Sequence, residues 1–265
     1  MNVQLNPAPV TPVLQATQIS KLYGENQGFH CLDIDLYPGE VLAVVGESGS
    51  GKTTLLKALS GRLPPQTGQV IYASDEQDII SLYDSSEAKL RQLSRTEFGI
   101  VHQHPLDGLR PYISAGGNIG EPLMASGNRH FGDIREQASQ WLNAVEIDPC
   151  RIDDLPIHFS GGMQQRLQIA RNLVTHPKVV FMDEPTGGLD VSVQAKLLDL
   201  IRQLVKRLNL AVIIVTHDLA VARLLAHRIM VMRQGQVVET GLTDRVLDDP
   251  QHAYTQLLVA SVLQQ

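Results

Sequence analysis

One stretch constrains this 265-residue chain more than any other: Gly46, Glu47, Ser48, Gly49, Ser50, Gly51, Lys52 and Thr53. It fits G-x-x-x-x-G-K-[ST] without mismatch, follows the apolar run at 41–45, and precedes a helical pattern. Its glycines let the backbone curl so that successive N–H groups cradle phosphate oxygens. A helix starting near Gly51 adds its positive end to the same anion. Lys52 then reaches the outer phosphates, and the Thr53 hydroxyl binds Mg²⁺. A glycine-rich turn without a ligand is the plainer alternative, and the strand before and helix after argue against it. The loop implies a nucleotide-binding protein.

The rest of the chain reads as α/β. Residues 1–12 carry three prolines and no period, as a loose tail does. Short alternating runs at 13–19 and 32–36 read as half-buried strands, with Tyr23 in the polar connection between them. A helix is expected over 54–62, a strand around 69–72, a surface helix over 81–93 and a short strand over 99–103. A long structured loop rich in glycine and proline follows. Helical periodicity then governs 118–148 and 161–175, so roughly 105–175 reads as a helical subdomain inserted between core segments 13–104 and 176–240. The apolar strands at 179–182 and 212–215 flank an amphipathic helix over 192–208; a hairpin near 233–236 and C-terminal helices over 243–263 close the chain. Apolar strands alternating with helices imply a mostly parallel sheet covered on both faces.

Three strand ends carry polar residues that belong at one rim: Gln103, Asp183 with Glu184, and His217. In parallel α/β sheets ligands bind at the carboxyl ends of strands. The first acid suits Mg²⁺, and the second suits activation of the water that attacks a γ-phosphate. A surface turn with two solvated acids, and a histidine satisfied by polar neighbours, are the plainer readings of each taken alone. Ser160, Gly161 and Gly162 before a long helix form a second anion-seeking helix start. Two such starts beside one Lys52 loop make sense if two subunits share nucleotides. His102 and His104 would point the same way on a strand, but no third ligand accompanies them, and a partner-facing or structural role fits better.

Composition excludes other classes. A net charge of −6 argues against non-specific binding to nucleic acid or anionic lipid. Cys31 and Cys150 form no C-x-x-C pair, which fits a reducing cytosol. No secretory leader is visible at the N-terminus, and the longest apolar runs fall far short of the ~20 residues that span a bilayer. Direct membrane insertion is not expected, so a membrane role would run through a partner.

Tyr23, the loop 46–53, Gln103, FSGGMQQR (159–166), VVFMDEP (179–185), GGLD (187–190) and VTHD (215–218) come in the order and spacing of ABC-type ATPases. The chain resembles that family over nearly its whole length. The resemblance implies a P-loop NTPase fold of ABC type: a mostly parallel sheet core with N-terminal antiparallel strands and an inserted helical subdomain. It implies an Mg²⁺-dependent ATPase working as a head-to-tail homodimer, with each ATP between one subunit's phosphate loop and the other's Ser160, Gly161 and Gly162. Tyr23 would stack on adenine, and Lys52, Thr53 and Thr54 would bind phosphates and metal. Gln103 and Asp183 would complete the metal site, Glu184 would be the general base, His217 would sense the γ-phosphate, and Asp190 would couple the two sites. Two departures stand out: Met163 and Gln164 in the signature, and Gly187 and Gly188 where Ser-Ala is usual.

DVSVQAKLLDLI and HAYTQLLVASV look like the oligopeptide-importer branch. The stretch VHQHPLDGLRPYISAGGNIGE, with the signature and acidic motifs after it, resembles ATPase subunits of bacterial carbon–phosphorus lyase systems. That implies docking on a soluble lyase core complex in the cytoplasm during phosphonate breakdown. The alternative is the nucleotide-binding subunit of a peptide, nickel or phosphonate importer, and a module with decayed hydrolysis is a third reading, which the intact Lys52, Asp183, Glu184 and His217 oppose.

Overall fold

The structure of the chain, a computed structural model, describes residues 11–23, 27–74 and 78–262. Residues 1–10 of the expected tail lie outside the described residues. The N-terminal strands β1 (Leu14–Leu22) and β2 (Gly28–Leu36) precede β3 (Val41–Val45) and the helix α1 (Lys52–Leu59). Next come β4 (Thr67–Ala73), β5 (Ile79–Ser81), α2 (Glu87–Thr96) and β6 (Phe98–Val101). The helices α3 (Ala115–Ala125), α4 (Phe131–Ala144) and α5 (Gly161–Leu173) follow without an intervening strand. The chain then runs β7 (Val179–Asp183), α6 (Val191–Leu208), β8 (Ala211–Thr216), α7 (Leu219–Leu225), β9 (Arg228–Arg233), β10 (Gln236–Leu242), α8 (Thr243–Asp248) and α9 (Ala253–Val262).

Two sheets result. One has order β2-β1-β4-β5 and is antiparallel; the other has order β10-β9-β3-β8-β7-β6 and is parallel from β9 to β6. The central strands are apolar throughout because both faces are covered. In β3, Val41, Ala43 and Val45 join one buried cluster with α3 to α8, whereas Leu42 and Val44 join a second with α1 and the antiparallel sheet. The same alternation splits Val180 and Met182 from Val179 and Phe181 in β7. This sandwich aims the ends of β3, β6, β7 and β8 at one rim.

Local readings shift where side chains decide. The helix expected over 81–93 begins later, because β5 pairs with β4 through Ile80 opposite Tyr72. Ser81 then donates to Asp84 and accepts at its carbonyl from Ser85, making a turn, and Ser86 caps α2 by accepting from the Lys89 N–H. The helix expected over 54–62 runs Lys52–Leu59 and stops where Gly61 takes φ 74°. The strand β6 ends at Val101, so His102, Gln103 and His104 lie beyond it, and the shared strand face expected of the two histidines does not form. His102 lines a separate cavity with Arg62 and Arg95, while Gln103 faces the phosphate loop. The long loop is ordered by Asn118, fully buried on α3, whose amide donates to the carbonyls of Arg110, Ile113 and Ser114 and accepts from the Arg110 N–H.

Candidate functional site

The phosphate loop turns between β3 and α1 because neighbours press its back. Gly51 has φ 98°, and a Cβ there would stand 2.1 Å from the Gly28 carbonyl oxygen, so only glycine fits. The Gly235 N–H, from the β9–β10 hairpin turn, donates to the Ser50 carbonyl at 3.1 Å. Lys52 folds back into the loop: its Nζ donates to the Gly46 and Glu47 carbonyls, both at 2.7 Å. Burial lowers the Lys52 pKa, opposed by the charges of Glu184, Asp183 and Glu47.

A cleft of roughly 470 Å³ opens in front of the loop. It is lined by Tyr23, Ser48, Gly49, Gly51, Lys52, Thr53 and Thr54 on one side and by Gln103, Asp183, Glu184 and His217 on the other. The three strand ends therefore meet one phosphate loop, as their sequence positions imply. Tyr23 is 58% exposed at the cleft edge, with the Lys21 Nζ 5.8 Å from its ring centroid. Glu47 joins the loop through its carbonyl contact with Lys52, and the buried Ser50 packs behind it.

The two acids occupy different environments. Asp183 Oδ1 accepts from Thr53 Oγ1 at 3.2 Å. Burial raises the Asp183 pKa, the Thr53 hydrogen bond opposes that, and the charge of Glu184 adds to it. Glu184 turns the other way: Oε1 lies 2.8 Å from His217 Nδ1 and Oε2 accepts from Thr216 Oγ1 at 3.3 Å. An ionised Glu184 requires that His217 Nδ1 carry the proton in this contact. Glu184 also adopts φ 46°, a left-handed conformation that costs a non-glycine residue on the order of 1–3 kcal/mol. Its N–H donates to the Val215 carbonyl and its carbonyl accepts from the Gly187 N–H, which hold the strained turn and aim the carboxylate into the cleft. Gly187 itself lies against Gln103, since a Cβ there would stand 3.5 Å from Gln103 Nε2.

Hard oxygen donors, the Thr53 hydroxyl and Asp183 carboxylate, stand in hydrogen-bond contact beside a loop of backbone donors, a set that fits Mg²⁺ and a polyphosphate. Ser160, Gly161, Gly162 and Asp190 do not line this cleft. Ser160 caps α5, accepting from the Met163 N–H at 3.4 Å. Asp190 precedes α6, and a Cβ on Gly162 would meet Val193 Cγ1 at 2.4 Å, so these two helix starts abut each other.

Tyr254, on α9, is a site neighbour that the sequence reading missed. Its ring is buried, the Arg233 guanidinium lies 4.9 Å from its centroid, and its hydroxyl accepts from the Glu47 N–H at 3.1 Å. No periodic signal links positions 207 residues apart. Tyr254→Phe keeps the ring and removes the hydroxyl's contacts with Glu47. Net hydrogen bonds of about 0.5–1.5 kcal/mol translate to a two- to tenfold weaker affinity for nucleotide, with little loss of thermal stability. Titration with a fluorescent ATP analogue checks it.

Comparison with known proteins adds relatives to this geometry. The family model described as ABC transporter matches residues 29–187. The chain is 69% identical over 253 residues to PhnK of Escherichia coli K12, an ATP-binding protein named for phosphonates utilization; the match covers 96% of this chain and 98% of that one. It is 36% identical over 264 residues to the oligopeptide transport ATP-binding protein OppD of Bacillus subtilis 168, covering 96% of this chain and 72% of the relative. Among solved structures, the dimeric post-hydrolysis state of the ATP-binding cassette MJ0796, bound to ADP and Pi, superposes with a TM-score of 0.76 at 28% identity, covering 87% and 98% of the two chains.

Proposed function

The chain belongs to the ABC transporter family, and on that premise we propose that it is the ATP-hydrolysing subunit of a carbon–phosphorus lyase system, docking on a soluble core complex and remodelling it through ATP-driven dimer closure. The observation that carries the ATPase reading is the convergence of Lys52, Thr53, Asp183, Glu184 and His217 on one cleft. The phosphonate assignment is supported by identity to PhnK across nearly the full length of both chains. We read the chain as a RecA-like core over 13–104 and 176–240, a helical subdomain over about 105–175 and C-terminal helices over 243–263.

In this mechanism Tyr23 stacks on adenine, while the amides of the loop and Lys52 hold the phosphates. Thr53, Asp183 and Gln103 would hold Mg²⁺, which would supply positive charge to offset that of the bound phosphates. Glu184, kept apart from Asp183 by its contacts to Thr216 and His217, takes the proton of the attacking water. His217, at the same rim, reads the γ-phosphate. The N-terminus of α5, with Ser160, Gly161 and Gly162, lies outside the lining of its own cleft and serves the nucleotide of a second copy. Asp190, beside it, links the two sites. The dimeric state of the MJ0796 cassette supports the presence of a second copy.

A second reading, the energising subunit of an importer, is favoured by the match to OppD. Among the described residues no helix is long and apolar enough to cross a membrane, so that reading needs membrane partners. Detergent-free capture of the tagged protein from phosphonate-grown cells separates the two. Stoichiometric soluble lyase subunits support the first reading and a cytoplasmic location. Recovery only with membrane permeases overturns it.

A further inference from the structure

The residue before Gln103 is held by a helix instead of a neighbouring strand. The strand β6 is the outer strand of its sheet, with β7 on one edge and side-chain amides of α5 on the other. Asn172 Oδ1 accepts from the Ile100 N–H at 2.8 Å. One turn earlier, Gln168 Oε1 accepts from the His102 N–H at 2.6 Å, and Gln168 Nε2 donates to the His102 carbonyl at 3.2 Å. Gln165 Nε2 adds a donation to the same carbonyl at 3.3 Å. An amide that both accepts from and donates to one residue supplies what a paired strand would supply. His102 is thus fixed as though the sheet continued past Val101. The chain then folds back on the same side chain, since a Cβ at Gly108 would stand 2.4 Å from Gln168 Oε1. Gln168, with no exposed surface, is the post around which residues 102–108 turn.

We infer that Gln168 is a positioning residue for ATP hydrolysis: it sets the direction in which Gln103 enters the phosphate cleft. Because Ser160 caps the same helix, Gln168 also ties Gln103 in one cleft to the end of α5 that serves the other. The inference rests on the role given to Gln103 above. Releasing His102 lets Gln103 sample unproductive directions, which lowers the chance of alignment in the reacting state. Tyr23 and the phosphate loop stand apart from this contact, so nucleotide affinity is spared.

The test is Gln168→Met, which keeps volume and removes both amide contacts to His102 together with the donation to Gln165 Oε1, measured for Mg-ATP turnover on the purified protein. The expected result is a fall in kcat of about tenfold with KM within about twofold. In a Gln103→Ala background the same substitution is expected to change kcat no further, because Gln168 acts through Gln103. A merely structural role multiplies the two losses, and that outcome overturns the inference. A wild-type kcat in Gln168→Met, with Gln103→Ala impaired, also overturns it, whereas a wild-type kcat in Gln103→Ala refutes the role of Gln103 and the inference together. Gln165→Met, which takes only the longest of the three contacts to His102, runs beside it as the milder variant, with a fall of about twofold in the same non-additive pattern. Amide exchange of the nucleotide-free protein supplies a readout independent of turnover: faster exchange over 98–108 with the 46–54 loop unchanged is expected. Unchanged protection over 98–108 overturns the inference.

Discussion

Glu184→Gln is expected to stop ATP turnover while leaving ATP binding intact, so that nucleotide-bound dimers accumulate. The substitution keeps shape, removes charge and basicity, and turns an amide N–H toward His217 Nδ1, which then accepts in place of donating. The amide oxygen of glutamine still accepts from Thr216 Oγ1, now 3.3 Å from Glu184 Oε2, and the backbone at φ 46° is held by main-chain bonds to Val215 and Gly187. Asp183 with Thr53, and Lys52 with its loop carbonyls, do not depend on the Glu184 charge for their hydrogen bonds. What disappears is the group that takes the water proton, a contribution of typically 10²–10⁴-fold. Phosphate release and size-exclusion chromatography with Mg-ATP measure the two halves of the expectation. Turnover within about tenfold of wild type would show that another base does the work.

The parts of this site legible in the sequence are those whose chemistry is local. The loop 46–53 carries its own geometry in its glycines, and strands such as Val179–Asp183 announce their ends because an apolar run stops at charged residues. A parallel sheet does the rest, since it sends every such end to one side. The parts that were not legible depend on pairs distant in sequence. Tyr254 reaches Glu47 through one hydrogen bond, and Gln168 reaches His102, 66 residues away, through two, and such contacts leave no periodicity. Gln168 reads in sequence as one more polar position on an amphipathic helix, yet it is fully buried because its amide finds the bare edge of β6. The misplaced start of α2 has the same origin. The leucines over 81–93 have helical spacing, and the pairing of Ile80 with Tyr72 takes the first of these residues into a strand and turn. Glu184 in a left-handed conformation is likewise invisible until Thr216, His217 and the Val215 carbonyl surround it.

Two substitutions in separate regions of one subunit are expected to disable the same reaction and to rescue each other. Lys52→Ala removes the ammonium that spans the Gly46 and Glu47 carbonyls and would meet the phosphates. Charge-assisted hydrogen bonds of about 1.5–3 kcal/mol imply an ATP affinity lowered by roughly 10²-fold. Ser160→Asp is chosen because aspartate caps a helix as well as serine does, so α5 stays folded while a negative charge faces any phosphate at its end. Ser160 lies outside the cleft of its own chain, so a site completed within one subunit would leave Ser160→Asp with wild-type turnover. A site completed by the partner makes it inactive, with ATP-induced dimers lost through like-charge repulsion. Mixing the two variants decides the matter. In a mixed head-to-tail pair, one interface combines both defects and the other combines an intact Lys52 with an intact Ser160. Random pairing would restore roughly a quarter of wild-type ATP sites, and loss of Ser160→Asp homodimers raises that fraction by leaving more subunits for mixed pairs. Isotopically labelled ATP trapped by an equimolar mixture measures that fraction. Its absence, with both variants folded, would mean that the N-terminus of α5 serves something other than the nucleotide of a second copy.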